Sequence, residues 1–143
     1  MSRKADEVGA LLLALVDRVS HRGGDTLALM AEAGLTLPQV LFLNRLRQAG
    51  TSTASDLAER LNMSLPATSQ MVERLFKLDL LTRAEDADDR RRKRLAVTQA
   101  AERLLDKIGH ARAAEYDKGT QRLSPALRRE LAATLAKAVR ELS

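Results

Sequence analysis

The residues of this chain best equipped to do chemistry are cations. Arg90, Arg91, Arg92, Lys93 and Arg94 stand in one unbroken run. Such groups neutralise a polyanion, and an arginine fork can take a phosphate or a base edge through two parallel hydrogen bonds. Net charge is +5, from 24 Lys and Arg against 19 Asp and Glu. Setting the run aside leaves 19 cations against 19 acids, so the whole excess is local. A local excess is the footprint expected for a phosphate backbone. A merely solvated charge run accounts for the same composition.

Other chemistry has little to work with. The two histidines, His21 and His110, fall on different predicted helices, and there is no cysteine to join them or to form a disulfide or redox switch. A zinc centre needs more ligands than these two imidazoles supply. No glycine-rich phosphate loop or nucleophile motif is present, so no enzyme and no cofactor is expected.

Length and composition bound the fold. The 143 residues make one domain with a real core, 45% hydrophobic and 30% charged. Aromatics are 2%, so Leu, Ala and Val must build that core, which favours helices. The apolar stretch from Ala10 to Val16 is too short for a membrane span and carries no secretory cleavage pattern. A cytoplasmic address, away from any membrane, is expected.

The elements that must position the cations follow from periodicity and caps. Val8, Leu11, Leu12, Leu15, Val16 and Val19 form a 3.6-residue stripe, interrupted at Gly23 and Gly24. A short helix resumes after Asp25. Thr36, Pro38 and Gln39 spell a capping box for a helix running to about Gln48, ended by Gly50. Thr53 caps a second helix with Asp56 in its first turn, stopped near Leu61 by Asn62. Ser64 caps a third, over 65–78, whose core face is Thr68, Met71, Val72, Leu75 and Leu78. Two helices joined so tightly predict a helix-turn-helix. Then the period changes. Leu81–Ala84 and Arg92–Val97 read as a two-stranded ribbon with Leu95 and Val97 inward, around a polar tip at 85–91. Thr98 caps a long helix carrying Leu104, Leu105, Ile108 and Ala111. Ser124-Pro125 starts the last one, striped by Leu127, Leu131, Leu135, Val139 and Leu142.

The fold class expected is therefore mainly α with a small β-wing. A winged helix-turn-helix lobe (35–98) is flanked by N- and C-terminal helices (1–34 and 99–143). The outer stripes exceed what a small lobe can cover, so a homodimer with interlocking terminal helices is expected, against a compact monomer.

These residues resemble the MarR family of bacterial regulators, from roughly Leu35 to Leu105. The strongest likeness is Asp86-Ala87-Asp88-Asp89-Arg90-Arg91 followed by Leu95-Ala96-Val97-Thr98, similar to the family's wing and the helix start after it. Leu35-Thr36-Leu37-Pro38-Gln39 and Ser55-Asp56-Leu57-Ala58-Glu59-Arg60-Leu61 also resemble it. The resemblance implies a dimeric regulator of double-stranded DNA. Its third central helix would enter the major groove and its wing the minor groove. The family's Asp-x-Arg wing motif falls on Asp89 and Arg91. Arg91 would insert, with Asp89 holding its guanidinium. A narrow A/T-rich minor groove concentrates the negative potential that arginine exploits. Two features depart from the pattern: Leu65, Pro66 and Ala67 replace polar or basic residues near the helix start, and Asp79 replaces a glycine after it.

On that reading, the face of helix 65–78 opposite its core stripe carries the contacts. Pro66 and Ala67 offer apolar contact, for instance to thymine methyls, and Gln70 can pair bidentately with adenine. Ser64, Ser69 and Arg74 suit phosphate, and Lys77 belongs to the same contacting face. In the wing, Asp89, Arg90, Arg91 and Arg92 are the expected site. Alternation along the second strand puts Arg92 and Arg94 on one side and Lys93 on the other. Relatives often bind small aromatic or anionic effectors, but no residue set here names one. Repression by occluding a promoter is the expected outcome. The alternative is a winged-helix module that binds protein, its basic wing merely solvated.

Overall fold

The computed structural model describes residues 5–20 and 24–143; His21 and Gly23 lie outside the described residues. Helix α1 covers Ala5–Val19, α2 Thr26–Glu32 and α3 Leu37–Ala49. A two-residue strand, β1 (Ser52–Thr53), precedes α4 (Ala54–Arg60) and α5 (Leu65–Lys77). Strands β2 (Leu81–Glu85) and β3 (Lys93–Val97) are followed by α6 (Gln99–Thr120) and α7 (Pro125–Leu142).

Polar side chains set the helix boundaries by satisfying end groups that have no partner within the helix. Before α3, the Thr36 backbone N–H donates to Gln39 Oε1 at 2.8 Å. Gly50 ends that helix at φ +75°, a left-handed conformation that L side chains rarely adopt. Thr53 Oγ1 accepts the Asp56 N–H at 3.2 Å, and Ser64 Oγ accepts the Ala67 N–H at 3.2 Å. Asn62 (φ +51°) makes the turn between α4 and α5, and Asp79 (φ +57°) turns the chain after α5. Asn and Asp accept this conformation more readily than other non-glycine residues.

The chain divides into two compact units, one made of 26–109 and the other of 1–25 with 110–143. In the first, α3 supplies Phe42, Leu43 and Leu46 to a single core, α4 Leu57, and α5 Val72 and Leu75. The strands add Leu81 and Leu95, and the start of α6 adds Leu105 and Ile108. Removing one such side chain costs about 2–5 kcal/mol. Thr98 fastens the far end of α5 to α6. Its Oγ1 donates to the Asp79 carbonyl at 2.8 Å and accepts the Ala101 N–H at 3.1 Å, while its own N–H reaches the Leu80 carbonyl.

Three details differ from the sequence reading. The ribbon is a three-stranded antiparallel sheet of order β1-β3-β2, with Ser52 opposite Leu95 and Thr53 opposite Arg94. Two residues carry no alternation, so β1 leaves no periodic signal. Leu78 is 39% exposed, because α5 ends at Lys77 and Leu78 turns off the core stripe. Arg92 lies in the turn before β3, so strand alternation applies to Lys93 and Arg94 but not to it.

In the second unit, α1 and α6 meet at backbone distance. A Cβ on Gly119 would lie 2.6 Å from the Val19 Cα. The apolar stripe of α1 stands open at Val8, Leu11, Leu12 and Val16, and that of α7 at Leu127, Leu135, Val139 and Leu142. No single helix among the described residues is long and apolar enough to cross a membrane.

Candidate nucleic-acid interface

Helix α5 buries Thr68, Val72 and Leu75 and turns the opposite face to solvent. Ser64, Pro66, Ala67, Ser69, Gln70, Arg74 and Lys77 are all exposed, as the sequence reading requires of them. Gln70, Arg74 and Lys77 line a shallow hollow of about 390 Å³ together with Glu73 and Leu78. The helix start is apolar, with Leu65 half exposed beside Pro66 and Ala67. The Ser64 hydroxyl spends an acceptor site on the cap, which leaves its O–H able to donate outward.

The wing tip is built by short-range hydrogen bonds. The Asp86 N–H donates to the Arg92 carbonyl at 3.0 Å, and the Arg92 N–H donates to the Asp89 carbonyl at 3.0 Å. Inside that frame, Asp86 Oδ1 accepts the Asp88 N–H and Asp89 Oδ1 accepts the Arg91 N–H, each at 3.0 Å. These are Asx turns, which fix a loop without any hydrophobic contact. Asp89 thus meets Arg91 through its main chain, where the resemblance leads one to expect the guanidinium.

The hairpin's acids and cations are sorted by position. Lys93 faces Glu85 at 3.8 Å and Arg94 approaches Asp86 at 4.0 Å. Arg90, Arg91 and Arg92 are exposed and enter no ion pair among the described residues. Three arginines at the tip therefore keep their donors for an outside partner, while the two further along the run are already matched.

Sequence reasoning missed one part of this surface. Arg83, on β2, donates to Glu73 Oε2 at 2.9 Å and lies 3.8 Å above the Phe76 ring. Ten residues and a change of element separate Glu73 from Arg83, so no local periodicity reports the pair. Among the described residues no group of three or more His, Asp or Glu converges where a metal could sit.

The MarR family model matches residues 35–93. The chain is 30% identical over 73 residues to an HTH-type transcriptional regulator, YhbI of Bacillus subtilis, covering 51% of this chain and 47% of that protein. It spans about half the length of the curated relatives it matches first. Among solved structures, YusO of Bacillus subtilis superposes with a TM-score of 0.72 at 23% identity, over 96% of both chains. MepR of S. aureus, solved as a DNA complex, superposes with a TM-score of 0.64 at 21% identity over the full length of both. The MarR family model thus falls on the stretch that runs from α3 through α4, α5 and β2 to the start of β3, and in this stretch the chain is similar to that family.

Proposed function

We propose that this protein is a sequence-specific transcriptional regulator that binds a pseudo-palindromic DNA operator as a homodimer. The observation that carries the reading is the sorting of charge in the hairpin. Four acids lie between Glu85 and Asp89, yet Arg90, Arg91 and Arg92 are left unmatched at the tip. A solvated charge run would gain from pairing its cations internally; a phosphate-binding tip needs them free. Helix α5 enters the major groove with Gln70 at a base edge and Ser64, Ser69, Arg74 and Lys77 at phosphates. Pro66 and Ala67 make apolar contact. Arg91 enters the minor groove, with Arg90 and Arg92 on flanking phosphates and Asp89 holding the loop.

The lobe at 35–98 carries DNA binding, and within the flanking stretches 1–34 and 99–143 it is α1 and α7, with their open apolar stripes, that carry dimerisation. Two recognition helices then sit about 34 Å apart, one turn of duplex. The protein represses by occupying a promoter in the cytoplasm, and a small-molecule effector that changed the spacing of its two recognition helices would release it. It performs no catalytic step and needs no cofactor. The solved DNA complex of MepR, on the same fold, supports this reading.

The test is a titration of labelled duplex from the gene's own upstream region against a random duplex of equal length, across a salt series. Tight, selective binding with a steep salt slope is expected. Equal and weak binding to both duplexes would leave only a basic surface and hand the lead to a protein-binding module.

A further inference from the structure

Arg83 stands where the two contacting elements join. In the β2–β3 ladder it lies directly opposite Leu95, and Leu81 lies opposite Val97. Leu81 and Leu95 are buried, so this row of the hairpin faces inward, and Arg83 is the residue that continues it past the edge of the core. Beyond that rung no hairpin residue is fully buried. The tip projects from there by two residues on each strand, roughly 7 Å at about 3.4 Å per residue, and by the turn that joins them.

At the rung, Arg83 closes on α5 twice. Its guanidinium donates to Glu73 Oε2 at 2.9 Å and stacks over the Phe76 ring at 3.8 Å. Glu73 and Phe76 are three apart on the helix and therefore neighbours on its surface. One planar cation thus grips two adjacent groups of the recognition helix from the base of the wing. Only arginine can do both, because the stacking and the fork use the same flat group. The same contact takes up the carboxylate of Glu73, the one acid lining the hollow beside Gln70, Arg74 and Lys77.

We propose that Arg83 is a positioning residue for operator selection. By clamping Glu73 and Phe76 it fixes the angle between α5 and the wing, so that the groove face of the helix and the tip arginines engage one duplex in a single register. The inference rests on the DNA-binding reading above. Looseness at this rung is amplified at the tip, and a contact set held loosely by its supporting residues loses discrimination before it loses affinity.

The experiment compares Arg83→Ala, Arg83→Lys, Glu73→Gln and the Arg83→Ala/Glu73→Gln double variant with the unaltered chain. Each is titrated with the upstream duplex and with random duplex across a salt series, and thermal unfolding checks that each still folds. Arg83→Ala and Glu73→Gln should each lower the ratio of selective to random affinity by up to about tenfold, the scale of an exposed ion pair plus a ring contact. The ratio cancels any uniform gain from removing the Glu73 charge. The double variant should be no worse than either single one, because the two substitutions break one unit. Salt slopes should stay unchanged, and Arg83→Lys should recover only part of the ratio. If Arg83→Ala instead lowers both affinities equally and flattens the slope by about 0.9, Arg83 is a phosphate contact and the inference is overturned while the DNA-binding reading stands. A neutral Glu73→Gln also overturns it. If the unaltered chain does not discriminate between the duplexes, both fall together.

Discussion

Asp89 Oδ1 accepts the backbone N–H of Arg91 at 3.0 Å, inside a turn closed by the Arg92 N–H on the Asp89 carbonyl. The carboxylate therefore sets the direction from which the Arg91 side chain leaves the loop. An acceptor oxygen is all that this needs; a negative charge is not. Asp89→Asn keeps the acceptor and should retain most of the operator affinity. Asp89→Ala should lose about 1 kcal/mol, the worth of one hydrogen bond. Fluorescence anisotropy on the upstream duplex separates the two. Equal losses in both variants would show that the charge itself matters, and would return Asp89 to the guanidinium.

Arg91 and Arg94 belong to one run in the sequence but not to one role. Arg94 has Asp86 at 4.0 Å, whereas Arg91 has no acid partner among the described residues. Arg91→Ala should weaken selective binding by roughly 1–3 kcal/mol. Arg94→Ala should change it far less. Similar losses at both sites would reduce the run to a diffuse positive patch.

Most of the lobe was legible because its signals are local. Thr36, Thr53, Ser64, Thr98 and Ser124 each announce a helix start within four residues, and Asn62 marks the stop after α4 by type alone. The exposed face of α5 followed from its core stripe. The misses share a cause: each depends on a distant partner. Strand β1 is recognisable only through its pairing with Arg94 and Leu95. The Arg83 clamp needs the hairpin folded against α5, and the matching of Lys93 and Arg94 with Glu85 and Asp86 needs the ladder register.

Gln70 lies in the hollow with Arg74 and Lys77 but is the only amide there. Gln70→Ala should relax preference at one base pair per half-site while leaving the salt slope intact. Arg74→Ala and Lys77→Ala should weaken all duplexes alike and flatten the slope. Selection from a randomised duplex pool reads both outcomes. An unaltered base profile for Gln70→Ala would move base readout elsewhere on α5.

Ser64 combines two duties that substitution can separate. Its Oγ caps α5 at the Ala67 N–H, and the residue is exposed, so its O–H is open to an outside acceptor. Ser64→Ala should cost about 0.5–2 kcal/mol of stability, the usual worth of a cap. Ser64→Asp should preserve the cap and the melting temperature but repel phosphate, so affinity should fall while stability holds. If Ser64→Asp binds the duplex as well as the unaltered chain, Ser64 is a cap only.

Helix α7 carries the strongest expectation for assembly. Leu127, Leu135 and Val139 lie on one stripe and are 49%, 42% and 63% exposed, and none of the helix is buried. An 18-residue helix with no fully buried residue leaves most of its apolar face uncovered by its own chain, and packing of that face supplies most helical stability in proteins. In the proposed homodimer a second copy covers it. Leu135→Glu should then place a carboxylate in an apolar interface, where an unpaired charge is strongly unfavourable. Sedimentation should shift from dimer to monomer, and selective binding should fall because the two half-sites are no longer engaged together. The core of the unit made of 26–109 does not include Leu135, so its melting should persist. An unchanged sedimentation coefficient would remove α7 from the interface and leave the α1 stripe as the surface that joins the two copies.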